Sequence, residues 1–154
     1  MEITLLAVGR LRPAYRTACD DYERRIGRHV RFAEVEVREA SRAPNVAAQR
    51  DEEAERLRAR LPAGATLVCL AREGNGWTSE ELAARLGRWR EAARPLAFAI
   101  GGSSGLADSL LLSAAARWSL GPATLPHELA RVVVVEQIYR GFTILRGEPY
   151  HKGR

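Results

Sequence analysis

The run Leu96-Ala97-Phe98-Ala99-Ile100, followed at once by Gly101-Gly102-Ser103-Ser104-Gly105, constrains the fold more than any other stretch of the chain. Five consecutive apolar residues offer no wet side, so a strand made from them must be covered on both faces. A parallel sheet with crossover helices supplies that cover. The glycines at its carboxyl end carry no Cβ, so another group can approach the main chain closely. Two readings of this loop stay open: a plain turn from strand into helix, or one wall of a ligand site. No Lys-Ser or Lys-Thr follows, which excludes a P-loop, and Gly-Gly-x-x-Gly lacks the dinucleotide-binding spacing.

The rest of the chain alternates in the same manner. Ile3 to Val8, closed by Gly9, predicts a strand, and Tyr15, Cys19, Tyr22 and Ile26 then share one helical face. From Arg31 to Arg38, Ala33, Val35 and Val37 alternate with Glu34 and Glu36, as in a strand near a sheet edge with one wet face. Asn45 is a candidate cap for a charged helix reaching Leu61, with Ala54, Leu57 and Leu61 on a narrow apolar stripe. Arg42, Arg50, Arg56, Arg58 and Arg60 alternate with acids there, which predicts a salt-bridged outer face rather than a dedicated RNA surface.

Thr66 to Leu70 predicts another buried strand, followed by a loop from Ala71 to Gly76, and Thr78 with Glu81 forms a capping box for a helix burying Leu82, Leu86 and Trp89. Beyond the central strand, Asp108 or Ser109 is expected to cap a short helix through Ala116, ahead of a short apolar segment, Trp118-Ser119-Leu120. The loop Gly121-Pro122-Ala123-Thr124-Leu125-Pro126 leads to a helix from Glu128 to Leu145, apolar on most sides, which predicts deep burial or a subunit contact.

Strands alternating with helices predict an α/β fold, a mostly parallel sheet with helices on both faces, and 154 residues suit a single domain over 1–154. Ligands of such sheets bind at the carboxyl ends of the strands, which places Leu70, Gly101 and Leu120 on one rim. The net charge of +5 permits contact with a polyanion but does not demand it. Lys152 is the sole lysine, so arginine carries nearly all of that charge. Neither a run of about 18 apolar residues nor a signal-peptide pattern occurs, so the expectation is a cytoplasmic protein with no membrane partner. Cys19 and Cys69 form no Cys-x-x-Cys pair and are expected to be reduced, buried thiols, with no metal bound.

These loops and their flanks resemble the small SPOUT-superfamily methyltransferases that modify a pseudouridine of large-subunit ribosomal RNA at N3. The resemblance spans essentially the whole chain and rests on Ile3-Thr4-Leu5-Leu6-Ala7-Val8-Gly9, Ile100 to Leu106, Thr124-Leu125-Pro126-His127, Arg131 to Arg140, and Arg146-Gly147-Glu148-Pro149-Tyr150-His151-Lys152. It implies a C-terminal trefoil knot, which no periodicity could reveal. It implies S-adenosyl-L-methionine held by backbone groups at Leu70, Gly101, Leu120, Gly121, Pro122, Ala123, Thr124 and Leu125. It implies a homodimer, packed through the helix after Pro126 with the active site near the subunit boundary, and large-subunit rRNA within the ribosome as partner. Two positions depart from the family pattern: Ala71, where many members carry an acid, and Gly121, where serine is frequent.

An imide N3 is a poor nucleophile until its proton leaves, so a base, or a cation near the flanking carbonyl oxygens, is required. The resemblance points to His151 and Tyr150, read as part of a mobile polar tail. Arg140, a charge on an apolar helix, either pairs with Glu136 or Glu148 or faces nucleotide phosphate. His127 is expected to shape the cofactor loop, Glu136 to be a structural partner and His29 to be inert. Trp77, Trp89 and Trp118 are candidates for base stacking or core packing, with Trp89 assigned to the core. A non-catalytic RNA- or ribosome-binding protein of the same fold is the alternative reading, and a phosphate- or nucleotide-binding enzyme using Gly101 to Gly105 a third.

Overall fold

A computed structural model describes residues 1–152. Its five strands are β1 (Glu2–Val8), β2 (Arg31–Val37), β3 (Thr66–Gly76), β4 (Leu96–Ile100) and β5 (Ala116–Ser119). The helices are α1 (Pro13–Ile26), α2 (Val46–Arg60), α3 (Ser79–Glu91), α4 (Asp108–Ser113) and α5 (His127–Leu145), followed by a 3-10 turn at Pro149–His151. All strand pairs are parallel, in the order β2-β1-β4-β3-β5.

The all-apolar strand β4 takes the central position, paired through Ile3↔Leu96 on one side and Thr66↔Leu96 on the other. Its five residues divide by size between the two faces. Leu96, Phe98 and Ile100 join Ile3, Leu5 and the inner faces of α1, α3 and α5, whereas Ala97 and Ala99 join Leu6, Val8 and residues of α2 and α4. Strand alternation therefore survives inside an unbroken apolar run. Strand β2 lies at one edge, as its alternation predicts, and β5 at the other.

Local signals set the helix starts. Asn45 accepts from the Ala48 N–H at 2.8 Å, and Thr78 and Glu81 complete a reciprocal capping box. Two expectations need correction. Residues 71–76 continue β3 instead of forming a free loop: after an irregularity, Asn75 and Gly76 pair with Trp118 and Ser119, so their backbone groups are spent on β5. Helix α4 ends at Ser113, Ala116 opens β5, and the cap position falls on Ala107 without a side-chain hydrogen bond. Of the two readings of α5, deep burial holds: it packs against α1 and α3 with Val134, Val135, Ile138 and Phe142 buried. No helix among the described residues is long and apolar enough to cross a membrane.

Candidate functional site

Strands β4, β3 and β5 are neighbours, so the chain leaves them at adjacent points of one rim. After β4 it turns tightly: the Gly105 N–H donates to the Gly102 carbonyl at 3.1 Å. A Cβ at Gly101 would lie 2.5 Å from the Gly105 carbonyl carbon, so the loop closes on itself only because residue 101 has no side chain. Helix α2 braces this loop from outside. Arg50 Nε donates to the Ser104 carbonyl at 2.5 Å, and the Ser104 hydroxyl donates to Gln49 Oε1 at 3.2 Å. Gln49 Nε2 in turn donates to the buried Glu53 carboxylate at 3.2 Å, which also accepts from the Ala40 N–H at 3.0 Å.

These contacts overturn the expected salt-bridged face. Of Arg42, Arg50, Arg56, Arg58 and Arg60, only Arg56 makes an ion pair among the described residues, with Glu52 at 3.6 Å. Arg58 instead reaches the Ser109 hydroxyl at 2.9 Å. Two of the helix's cations are thus committed to the segment following β4.

Beside this loop, Leu70 is half-buried and pairs with Trp118, where β3 becomes irregular. Leu120 follows β5, and the Gly121 N–H donates to the Ser119 hydroxyl oxygen at 3.2 Å. Gly121 has φ +122°, a conformation that disfavours side chains, with nothing within 4 Å of a built Cβ. Pro122, Ala123 and Thr124 are exposed, Leu125 is half-buried, and Pro126 is the N-cap of α5.

The C-terminal residues form a second cluster, and here too an expectation fails. Tyr150 is not on a loose arm: its hydroxyl donates to Glu136 Oε1 at 3.0 Å and lies 3.3 Å from the Tyr22 hydroxyl, and its ring meets Tyr139 edge-on at 4.7 Å. An aromatic body with a satisfied phenol is a sufficient anchor for a short turn. Burial, then the contacts to Tyr22 and Glu136, hold its phenol well above the ordinary tyrosine range. Arg140 resolves in favour of Glu136, donating from Nε at 2.9 Å and from Nη2 at 2.6 Å, with its guanidinium 5.1 Å from the Tyr150 ring centre. One oxygen of Glu136 therefore gathers three donors. His151 Nδ1 is buried without a hydrogen-bond partner among the described residues. Among those residues, no hydrogen bond links Tyr150 or His151 to the loops after β3, β4 and β5.

Among the remaining candidates, Trp77, Trp89 and His29 are held in packing contacts. Trp77 stacks on Trp118 at 5.5 Å, with the Arg85 guanidinium 4.2 Å from its ring, so its surface is spent on packing. Trp89 tilts against Trp77 and meets Phe98 edge-on. His29 stacks on Phe142 at 5.6 Å, and burial lowers its pKa. His127 is the first residue of α5, beside Glu128, which receives both the Arg12 N–H at 2.8 Å and Arg12 Nε at 2.7 Å.

Sequence reasoning assigned no role to Arg131. It is 1% exposed and ties three elements together: Nη1 meets Glu36 at 2.5 Å and Glu34 at 3.5 Å, and Nη2 donates to the Val8 and Gly9 carbonyls. The signal was available, because Arg131 interrupts the same apolar helix whose interruption singled out Arg140.

Next to this hub, a buried carboxylate oxygen of Glu23 has no hydrogen-bond partner among the described residues, the Arg16 guanidinium standing 4.0 Å away. Burial first, and then the Glu34 carboxylate, push its pKa from 4.5 up to about 8. The folded state thus holds a proton that the unfolded chain releases near pH 4.5, so this group's stabilising contribution is complete below that pH and is lost as pH rises towards 8. Thermal melts of the wild type are expected to fall between pH 5 and 8, and Glu23→Gln, which keeps the neutral form at every pH, should flatten that fall. Parallel slopes in the two proteins would contradict the assignment.

Comparison with known proteins agrees with this architecture. The family model described as "Predicted SPOUT methyltransferase" matches residues 1–151. A protein of Anaeromyxobacter sp. (strain Fw109-5) called ribosomal RNA large subunit methyltransferase H is 47% identical over 99% of this chain and 100% of its own length. Proteins of the same name from Gemmatimonas aurantiaca and Pseudomonas aeruginosa (strain PAO1) are 46% and 39% identical, each over 99% of this chain and all of their own length. Among solved structures, a protein from Neisseria gonorrhoeae described as a methylase family protein superposes with a TM-score of 0.56, covering 89% of this chain and 81% of that one at 16% identity, a likeness of fold. With its parallel sheet, its rim of strand-end loops and this match over nearly its entire length, the chain belongs to the SPOUT methyltransferase family.

Proposed function

We propose that this protein methylates N3 of a pseudouridine in large-subunit ribosomal RNA, using S-adenosyl-L-methionine, as a cytoplasmic homodimer acting on assembled ribosomes. The observation that carries the reading is the rim formed by β4, β3 and β5, joined to family membership. The same reading takes residues 1–154 as a single domain with a C-terminal trefoil knot, and family membership in a class of enzymes favours catalysis over a purely binding role.

The residues at the rim fit the cofactor. The Gly101 cradle has no room for a Cβ, and open space lies where a side chain on Gly121 would stand, beside main-chain groups that meet the Ser119 hydroxyl. Leu70, Gly101, and Leu120 to Leu125 would hold the molecule through main-chain groups, so the side chains at Ala71 and Gly121 are not required for it. When bound, S-adenosyl-L-methionine supplies an electrophilic methyl carbon on a sulfonium. The protein's own task is to align the base with that carbon, exclude water and remove the N3 proton.

His151 is assigned as proton acceptor: its buried Nδ1 has no partner among the described residues, and in the Nε2–H tautomer that nitrogen carries a lone pair for an incoming donor. Arg140 is assigned to the anion that forms across the imide oxygens, with Glu136 fixing its orientation through two of its nitrogens. Tyr150 is placed by Glu136 and Tyr22 to pack beside the base. The lack of hydrogen bonds between this cluster and the rim loops is consistent with a dimer in which one chain supplies the loops and its twin the tail.

Ribosomes from cells lacking the gene, incubated with methyl-labelled S-adenosyl-L-methionine, are expected to take up label. His151→Ala should lower kcat by about 100-fold, within the usual worth of a general base, with cofactor affinity unchanged. Unaltered turnover would remove His151 from the chemistry, and no uptake with wild-type protein that binds cofactor would reject the substrate.

A further inference from the structure

The β2–α2 connection forms an open groove of about 360 Å³, lined by Arg38, Arg42 and Arg56 together with Glu39 and Glu52. It lies beside the turn that follows β4: Glu39 Oε1 is 3.5 Å from the Ser103 hydroxyl and 3.4 Å from where a Cβ on Gly102 would stand. The groove therefore borders the loop after β4 directly. Glu52 is engaged by Arg56 at 3.6 Å, and Arg56 also donates to the Arg38 carbonyl at 2.8 Å. Arg38 and Arg42 are exposed and make no ion pair among the described residues, so the groove's three arginines outnumber its two carboxylates, Glu39 and Glu52.

We propose that this groove grips the phosphodiester backbone of the RNA beside the nucleotide delivered to the rim, with Arg38 and Arg42 as the phosphate-contacting residues. The proposal rests on the reading of the protein as an RNA methyltransferase and adds where the strand is held. Two features support it. Arginine's planar fork presents paired donors to phosphate oxygens, and such contacts set position and affinity without reading sequence. The groove is also adjacent to the proposed cofactor loop, so a strand lying in it brings a neighbouring base within reach of that loop. Arg56 is held in reserve by Glu52, since loss of that carboxylate frees a third cation on the same wall.

The test is binding of the full-length protein to large ribosomal subunits over a range of salt concentrations, with methyl transfer by the wild type assayed alongside. Arg38→Ala/Arg42→Ala is expected to weaken binding roughly 10-fold or more and to reduce the salt slope by about one to two units. Cofactor affinity and kcat at saturating subunits should not change. Arg88→Ala/Arg90→Ala, which removes the same charge from exposed positions on α3, should leave affinity near that of the wild type. Glu52→Gln should tighten binding. Equal losses in the two arginine pairs would reduce the effect to net charge and overturn the groove, as would unchanged affinity in the first pair. Wild-type protein that binds subunits through this groove yet transfers no methyl group would instead reject the catalytic reading and leave the surface standing.

Discussion

Replacing Arg131 with methionine is expected to destabilise the protein by about 3–4 kcal/mol, near the lower end of the range for breaking a buried ion pair from one side. Methionine fills similar space, so the loss is electrostatic rather than a cavity. The guanidinium is 1% exposed and serves two carboxylates and two carbonyls at once. Its removal leaves the Val8 and Gly9 carbonyls without that donor and deprives Glu34, a side chain only 9% exposed, of one of its two cations. Arg16 still reaches Glu34 at 2.6 Å and Glu36 at 3.2 Å, which is why the cost stays below the upper limit. For a chain of this size the change corresponds to a drop of about 10 °C in the melting temperature. A shift under about 2 °C would mean that Arg131 is not the tie between α5, β2 and the end of β1.

Gly101→Ala should act on function as strongly as Arg131→Met acts on stability. The new Cβ would stand 2.5 Å from the carbonyl carbon and 2.8 Å from the carbonyl oxygen of Gly105, both backbone atoms that no rotamer change can move away. The turn closed by the Gly105 N–H and the Gly102 carbonyl must open, and with it the anchor points at Ser104 for Arg50 and Gln49. A displacement of about 1 Å in a positioning loop is enough to cost about 100-fold. Titration calorimetry is therefore expected to show affinity for S-adenosyl-L-methionine reduced by at least about 100-fold, while the far-side core of Leu96, Phe98 and α5 remains folded. Wild-type affinity in this variant would place the cofactor elsewhere.

The elements that were legible in the sequence are those whose causes are local. The apolar run of β4, the alternation of β2, the Asn45 cap and the Thr78–Glu81 box each specify their structure within a few residues, and each lies where its pattern placed it. The errors fall where long-range partners decide. Residues 71–76 read as a loop from their glycines, yet β5 supplies hydrogen-bond partners that arrive more than 40 residues later in the chain. The arginines of α2 alternate with acids in sequence, but Arg50 and Arg58 find better acceptors in Ser104 and Ser109, which only the fold brings close. The tail looked solvated because Tyr150, His151 and Lys152 are polar in sequence, whereas the partners of Tyr150, Tyr22 and Glu136, lie on two different helices. Arg131 shows the same limit: a charge in an apolar helix is visible, but whether it meets a nucleotide or a carboxylate depends on what β2 carries beside it.

The central claim is tested most directly by identifying the methylated nucleoside. Purified protein, labelled S-adenosyl-L-methionine and ribosomes from cells lacking the gene are incubated together, and the RNA is digested and mapped by mass spectrometry. Label at N3 of one pseudouridine of the large-subunit RNA is the predicted result. Label on another base, on the small subunit, or nowhere in the RNA while the protein demonstrably binds the cofactor, would contradict the account.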